Sequence, residues 1–484
     1  MRLLPFLLLV FVSEGLWGQA EFRAVGGPGA ELGKAVVPHA EGAFLVATSK
    51  LEGSNVLRGY VAHFDADLEV DWTLLIPTSS LQEQVIDAWS SSAGVVSILT
   101  QTLDPTNGYT TVIHQLDSTG TFGDVVEPPT PPNFLPIKHV KWQGEMWLVG
   151  QMGNHPSAIN LYSGEERPWG GVPGTYDKIN DAMVVNGVLV SVGSRSQGDS
   201  TSTAIWGMYP LGQLAFERID PDPQAGQWSE ATALDLGEEV IRVIHSYETQ
   251  NDDDSSLLHS LISLHPTTGA VTGILEGPVS GQRPGRDILW TPSGWVKLSQ
   301  TDGFTSLDQS VLVTHYSENG TYLRQGAWGT PFEEDPSQVV LHSDGSIWIA
   351  GSTRGVIDPS WNAFILRLDS VGAFDVWAES SWGVGIYNDP LFDDALGLDE
   401  LPGPNRHHWN CTPNPTSGKT QISSDLPLAE VAFQPFAWKL LDCTGREVRQ
   451  GRGTEVDCNG LDPGVHHLIG AVRQSLFQIT LVVE

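Results

Sequence analysis

A short strand phrase recurs seven times along this 484-residue chain, and its spacing restricts the fold more than any other feature. The copies are AFLVATS (43–49), VVSILTQ (95–101), MWLVGQM (146–152), VLVSVGS (188–194), VIRVIHS (240–246), WVKLSQT (295–301) and IWIAGST (347–353). Their starts lie 52, 51, 42, 52, 55 and 52 residues apart, the length of one four-stranded propeller blade. The expected fold class is therefore all-β: a propeller of about seven blades.

The seventh copy shows the unit most clearly. Ser337 to Leu341 reads as a strand, His342 to Gly345 as a turn, Ser346 to Gly351 as a second strand, and Ala363 to Asp369 as a third. Phe374 to Glu379 is expected to complete that blade as its fourth strand. Third strands followed by glycine-containing turns recur at 60–70, 112–122, 261–271 and 313–323, with aspartate or a substitute at matching phase. Trp147, Trp206, Trp295, Trp348 and Trp377 are expected to wedge between neighbouring blades, where a large ring buries most surface. Phe22 to Val25 reads as a last strand placed ahead of the first blade, suited to closing the ring and removing exposed sheet edges. The stretch IAGSTRG and NAFILRLDSVGAF (349–374) resembles bacterial propeller repeats in which a glycine-serine-threonine phrase precedes a loop and an aspartate-terminated strand. That resemblance implies a fold and no activity.

Composition then narrows the setting. Arg2, the apolar run Leu3 to Val12 and the small residues Gly18 and Ala20 have the form of a signal peptide over residues 1–20. No later stretch approaches the roughly 20 apolar residues of a membrane-spanning helix. The chain carries a net charge of −33. Residues 21–404 hold 17 basic and 49 acidic residues, whereas residues 405–484 hold 7 and 8, so the acidity belongs to the repeat region. Such a field repels phosphate backbones and argues against nucleic acid as a partner. All 3 cysteines, Cys411, Cys443 and Cys458, fall in the last segment, and the repeats depend on packing rather than disulfides.

That last segment carries three ordered motifs: Pro413-Asn414-Pro415-Thr416-Ser417-Gly418, then Trp438 to Val448 with Asp442, Gly445 and Arg446, then Leu461 to Leu468 with Gly464. Together they resemble the C-terminal sorting domain of cargo exported by the type IX secretion system of Gram-negative bacteria. The resemblance implies that residues 411–484 form a small β-sandwich read by the type IX machinery, with 386–410 as linker and 21–385 as the propeller passenger. It implies a secreted protein or one held on the outer cell surface. His466 and His467 stand where that family usually has an aromatic after Gly-Val. In an oxidised export route Cys443 and Cys458 are candidates for a disulfide closing a 15-residue loop, worth about 3 kcal/mol, with Cys411 left over.

Chemistry is sparse by comparison. Loops joining second to third strands place Glu52, Asp104, Asp199, Asp252, Asp253, Asp254, Asp302, Asp308 and Asp358 on one face of the ring. Hard oxygen ligands at that density suit calcium, with Asp252, Asp253 and Asp254 as the candidate ligands, although the run lacks the spacing of a dedicated calcium loop. Gly351-Ser352-Thr353-Arg354-Gly355 has threonine where a nucleophile elbow needs serine. Ser343 to Trp348 is similar to the turn boxes of sialidases, with Asp344 and Gly345 as turn residues, while Arg283, Arg286 and Arg354 form no evident carboxylate clamp. No catalytic residue and no organic cofactor is assigned. The expectation is an exported, non-enzymatic binding or adhesion module for an extracellular glycan or protein; the alternative is a secreted polysaccharide hydrolase or lyase on the same scaffold.

Overall fold

The computed structural model describes residues 20–368 apart from 27–28, 40–41, 51–55, 78–81, 93, 105–107, 220–227, 249–256, 277–281, 302–309, 329–332 and 355–360. It also describes 384–388, and residues 409–483 apart from 413–417, 425–436, 442–446, 453–454, 462 and 473–474. Every regular element among these residues is a strand. No helix among them is long and apolar enough to cross a membrane.

Seven antiparallel sheets follow one another as the blades of a β-propeller. Their first strands are Ala30–His39, Glu83–Ser92, Phe134–Trp142, Tyr176–Val185, Ser229–Leu236, Gln282–Thr291 and Glu334–Leu341. Each packs against the first strand of the next blade, the last against the first, and these strands form the inner wall of the ring. The seven recurring phrases fall in the second strands, from Gly42–Lys50 in blade 1 to Ile347–Arg354 in blade 7.

Those phrases are apolar because a second strand is buried on both faces. Side chains alternate across a strand, so Ala43, Leu45 and Ala47 join the cluster between blades 7 and 1, while Phe44 and Val46 join the one between blades 1 and 2. The propeller core is a series of such clusters, one at each blade junction. Trp147, Trp206, Trp295 and Trp348 are fully buried in them, each contributing about 3 kcal/mol of transfer free energy. Trp377 lies outside the described residues.

The ring closes through the N-terminal strand Ala20–Gly26. It pairs antiparallel with Trp361–Leu368, Phe22 opposite Leu366 and Ala24 opposite Phe364, and supplies the fourth strand of blade 7. That place was expected for Phe374 to Glu379, which lie outside the described residues. Hydrogen bonding at the free edge of Trp361–Leu368 is satisfied by residues from the other end of the chain, so the blade needs no strand of its own there. Val384–Asn388 adds parallel to the other edge of the N-terminal strand and carries this sheet past the expected boundary at 385.

The C-terminal segment holds two further sheets. One comprises Trp409–Thr412, Lys419–Ser424 and Glu455–Asp457; the other comprises Glu447–Arg452, Ala437–Leu441, Gly464–Val472 and Ser475–Val483. Ile422 and Val456 from the first share an apolar cluster with Trp438, Leu440, Leu468 and Val483 from the second.

Candidate functional site in the central channel

One residue is bulged out of register on the inner strand of every blade: Lys34, Ile86, Ile137, Asn180, Thr232, Arg286 and Ser337. A bulge inserts one unpaired residue and re-aims the side chain that follows. The packing around it is close. A Cβ on Gly193, which faces this point in blade 4, would come within 1.9 Å of the Lys178 carbonyl oxygen, and one on Gly150 in blade 3 within 2.2 Å of that of Leu135. The glycines in the recurring phrases leave room for the bulge.

In blades 2, 3, 4, 6 and 7 the residue after the bulge ties one blade to the next. Asp87 Oδ2 accepts the backbone N–H of His139 at 3.1 Å, Asp181 Oδ2 that of Leu234 at 3.0 Å, and Asp287 Oδ2 that of Val339 at 2.9 Å. Gln338 Oε1 accepts from Val36 at 2.9 Å and joins blade 7 to blade 1. In blade 5 the post-bulge residue is Ala233, and Asp235, two residues further on, accepts from Trp290 at 2.6 Å. Blade 3 has Lys138 instead, whose Nζ donates to Asp181 Oδ1 at 2.6 Å. The same position around the ring thus solves one problem repeatedly, since an inner-strand amide displaced from its ladder must find an acceptor.

These groups interact electrostatically. Removal from water pushes the Lys138 ammonium down, but Asp181, Asp287 and Asp87 outweigh it and hold its pKa above the ordinary lysine value. Loss of water around Asp287 and the negative charge of Asp181 push the Asp287 carboxyl up to about 7 against the pull of Lys138. Burial likewise raises Asp235. Asp87 goes the other way: burial would raise it, but hydrogen bonding from His139 and the charges of His139 and Lys138 lower it.

A second set of carboxylates lies three residues before the bulges. Glu31 accepts from Ser49 Oγ at 3.1 Å, Glu83 from Thr100 Oγ1 at 3.0 Å, and Glu334 from Thr353 Oγ1 at 3.0 Å, all inside their own blades. Asp177 holds Arg195 in a bidentate pair at 2.6 and 2.9 Å. All four carboxylates are fully buried. Between the two sets, two residues before six of the bulges, the wall is open to solvent: Leu32, Gln84, Leu135 and Lys178 are exposed, and Glu230 and Asp335 half-buried. Lys178 pairs with Glu230 at 2.7 Å, and Arg286 with Asp335 at 2.6 Å.

Most of the residues singled out in the sequence lie outside the described residues. Asp252, Asp253 and Asp254 lie outside the described residues, as do Glu52, Asp302, Asp308 and Asp358. Asp104 ends the second strand of blade 2, and Asp199 is exposed in a turn of blade 4. Among the described residues, no group of three or more His, Cys, Asp or Glu is arranged to hold a metal. Pro413, Asn414, Pro415, Asp442, Gly445 and Arg446 are outside the described residues. Gly418 accepts from the backbone N–H of Cys458 at 2.7 Å, and Gly464 opens the strand Gly464–Val472. Cys458 is buried with a free thiol whose pKa burial raises, and Cys443 lies outside the described residues.

Asp344 does stabilise a turn. It accepts from the Ser346 backbone at 2.8 Å and its hydroxyl at 2.5 Å, and that hydroxyl accepts from Trp348 Nε1 at 2.7 Å. Burial alone would raise its carboxyl, but these bonds and His342 hold it at about 2. Asp65 and Asp117, which end third strands, accept turn amides in the same way. The inter-blade ties had a sequence signal: Asp87, Asp181 and Asp287 stand seven or eight residues ahead of their recurring phrases.

The fold and channel define the chain as a seven-bladed β-propeller protein with a further C-terminal β segment. No family model matches it, and no curated protein does. Among solved structures it is similar in fold to a putative 6-phosphogluconolactonase from Bacteroides uniformis, at 12% identity and TM-score 0.41 over 65% of this chain and 93% of that one. It is also similar to the WD40 domain of SCAP from fission yeast, at 8% identity and TM-score 0.37 over 74% and 99%. A third is the β-propeller domain of the Trilobed protease from Pyrococcus furiosus, at 10% identity and TM-score 0.37 over 60% and 82%.

Proposed function

We propose that the protein is an exported, non-enzymatic binding module, in which the propeller presents an extracellular ligand surface and the C-terminal segment is a type IX sorting β-sandwich. The observation that carries this reading is the commitment of the acidic groups at the ring centre. Asp87, Asp181, Asp235 and Asp287 accept backbone amides from neighbouring blades, and Glu31, Glu83, Asp177 and Glu334 are bound within their own. They act as ties that hold a rigid scaffold, whereas general acid–base catalysis needs paired carboxyls free to meet a substrate. The excess negative charge of residues 21–404 favours neutral glycans, cations or basic protein surfaces. Calcium at Asp252, Asp253 and Asp254 belongs to this reading.

The test has two arms. Glycan-array binding by the purified protein, without release of reducing sugar from the bound glycans, supports the reading; turnover overturns it. A chain ending at Pro404 is expected to unfold cooperatively in vitro and to remain in the periplasm of a type IX-competent host, and its display on the surface would refute the sorting role. Millimolar calcium should raise Tm more than sodium chloride of equal ionic strength, and an equal rise would remove calcium from the reading.

A further inference from the structure

Two histidines of blade 1 meet on the side that faces blade 2. His63 lies in the third strand, Leu57–Asp65, paired in register with Phe44 of the second strand and Trp72 of the fourth. Cross-strand partners share a face, so the three rings meet: His63 sits 4.7 Å from Phe44 and 5.3 Å from Trp72, within 13° of parallel to the indole. Phe44 and Trp72 belong to the apolar cluster at the junction of blades 1 and 2. His39 ends the inner strand Ala30–His39, and its ring lies 5.5 Å from Phe44 and 5.9 Å from His63.

Each imidazole has a bare nitrogen inside the protein. His63 is 6% exposed, and its Nδ1 lies 2.8 Å from Asp71 Oδ2. An ionised carboxylate only accepts, so Nδ1 carries the proton and Nε2 keeps its lone pair. Burial lowers the His63 pKa against the pull of Asp71, and the ring is neutral at pH 7. Among the described residues, His63 Nε2 and His39 Nδ1 are buried atoms with no hydrogen-bond partner, a state that polar groups rarely keep. A histidine that donates one ring N–H to a carboxylate and keeps its other nitrogen bare has the arrangement of a metal ligand.

We propose that His63 Nε2 and His39 Nδ1 bind one monovalent copper ion between them, with Asp71 as the positioning residue that orients His63. Two imidazoles sharing an ion about 2.0 Å from each nitrogen have ring centroids about 6 Å apart, the separation these two rings show. Imidazole nitrogen suits both copper and zinc. Zinc takes three or four protein donors, and no group of three is assembled among the described residues, whereas copper(I) is satisfied by two. The single charge is balanced by Asp71, and the acidic field of the repeat region draws cations toward it. The donors are nitrogens, unlike the carboxylate oxygens of the calcium reading, so the two ion sites stand or fall separately.

Anaerobic titration of the full mature chain with copper(I), in competition with a chromophoric copper(I) chelator, tests the proposal, with zinc(II) titrated in parallel. One equivalent of copper(I) is expected to bind at least tenfold more tightly than zinc(II), and X-ray absorption should show two imidazole nitrogens and no sulfur at the metal. His39→Gln and His63→Gln should each weaken copper(I) binding at least tenfold. Asp71→Asn should weaken it about tenfold while leaving the urea midpoint unchanged. His39 is only half-buried, so its variant decides the matter if His63→Gln does not fold. Zinc(II) bound as tightly as copper(I), sulfur at the metal, no saturable copper(I) binding, or unaltered copper(I) affinity in any of the three variants would overturn the proposal.

Discussion

Lys138 and Asp181 meet at 2.6 Å on the inner strands of blades 3 and 4, and the other oxygen of Asp181 accepts the Leu234 amide of blade 5 at 3.0 Å. One carboxylate therefore ties three successive blades. Asp181→Ala removes the acceptor and leaves the Leu234 amide without it, which is expected to cost about 2 kcal/mol. Asp181→Asn keeps an acceptor of similar shape and is expected to cost less. The two urea midpoints check this, and an alanine variant as stable as the parent would show that the tie is dispensable.

The recurring glycines yield a steric prediction. Gly193→Ala drives a Cβ against the Lys178 carbonyl, a backbone atom that the bulge holds in place. Overpacking of this kind costs about 1–3 kcal/mol. Gly187→Ala in the nearby turn makes a useful contrast: a Cβ there meets nothing within 4 Å, and its cost would come from the positive φ of +81° alone. Thermal unfolding of both variants separates steric clash from backbone strain.

Much of this architecture was legible because it is repeated. A phrase buried on both faces must be apolar throughout, so AFLVATS and its relatives stand out from their surroundings, and their spacing gave the blade. The tryptophans followed from size alone. The fourth strand of blade 7 was harder: both Phe22 to Val25 and Phe374 to Glu379 read as strands, and nothing local decides which one Trp361–Leu368 pairs with. The channel groups were hidden for a different reason. The bulged residues Lys34, Ile86, Ile137, Asn180, Thr232, Arg286 and Ser337 share no common residue type, and a bulge leaves no composition signal, so only the pairing register brings them to one position.

Asp287 gives a pH dependence whose sign can be worked out. Its folded pKa of about 7 lies above the unfolded value, so the folded state binds the extra proton between the two. Its contribution to stability is thus fully present below the unfolded carboxyl pKa, near 4, and is lost as pH rises through about 7. Asp287→Asn removes this titration. The stability of the parent minus that of the variant is expected to fall between pH 5 and pH 8, measured by urea midpoints in matched buffers. His63 and His315, whose pKa values burial lowers, titrate in both proteins and cancel in the difference. A difference independent of pH would place Asp287 in an ordinary carboxylate environment.

Ring closure makes the strongest demand on a single small residue. Ala24 is wholly buried opposite Phe364, in the cluster that Val296, Leu298 and Val313 of blade 6 share with Ile349 and Leu366 of blade 7. An aspartate there would place an uncompensated charge among apolar side chains, and the strand would leave the sheet before that charge could stay buried. Ala24→Asp is therefore expected to open the junction between the N-terminal strand and Trp361–Leu368. The other six blades keep their own four strands, so they should lose cooperativity before they lose β structure. Hydrogen exchange followed by mass spectrometry checks the location: protection should fall first in 20–26 and 361–368, and in the 384–388 strand that depends on the N-terminal one for its pairing. Uniform loss across all blades at the same denaturant concentration would mean that the closure is no weaker than any other junction in the ring.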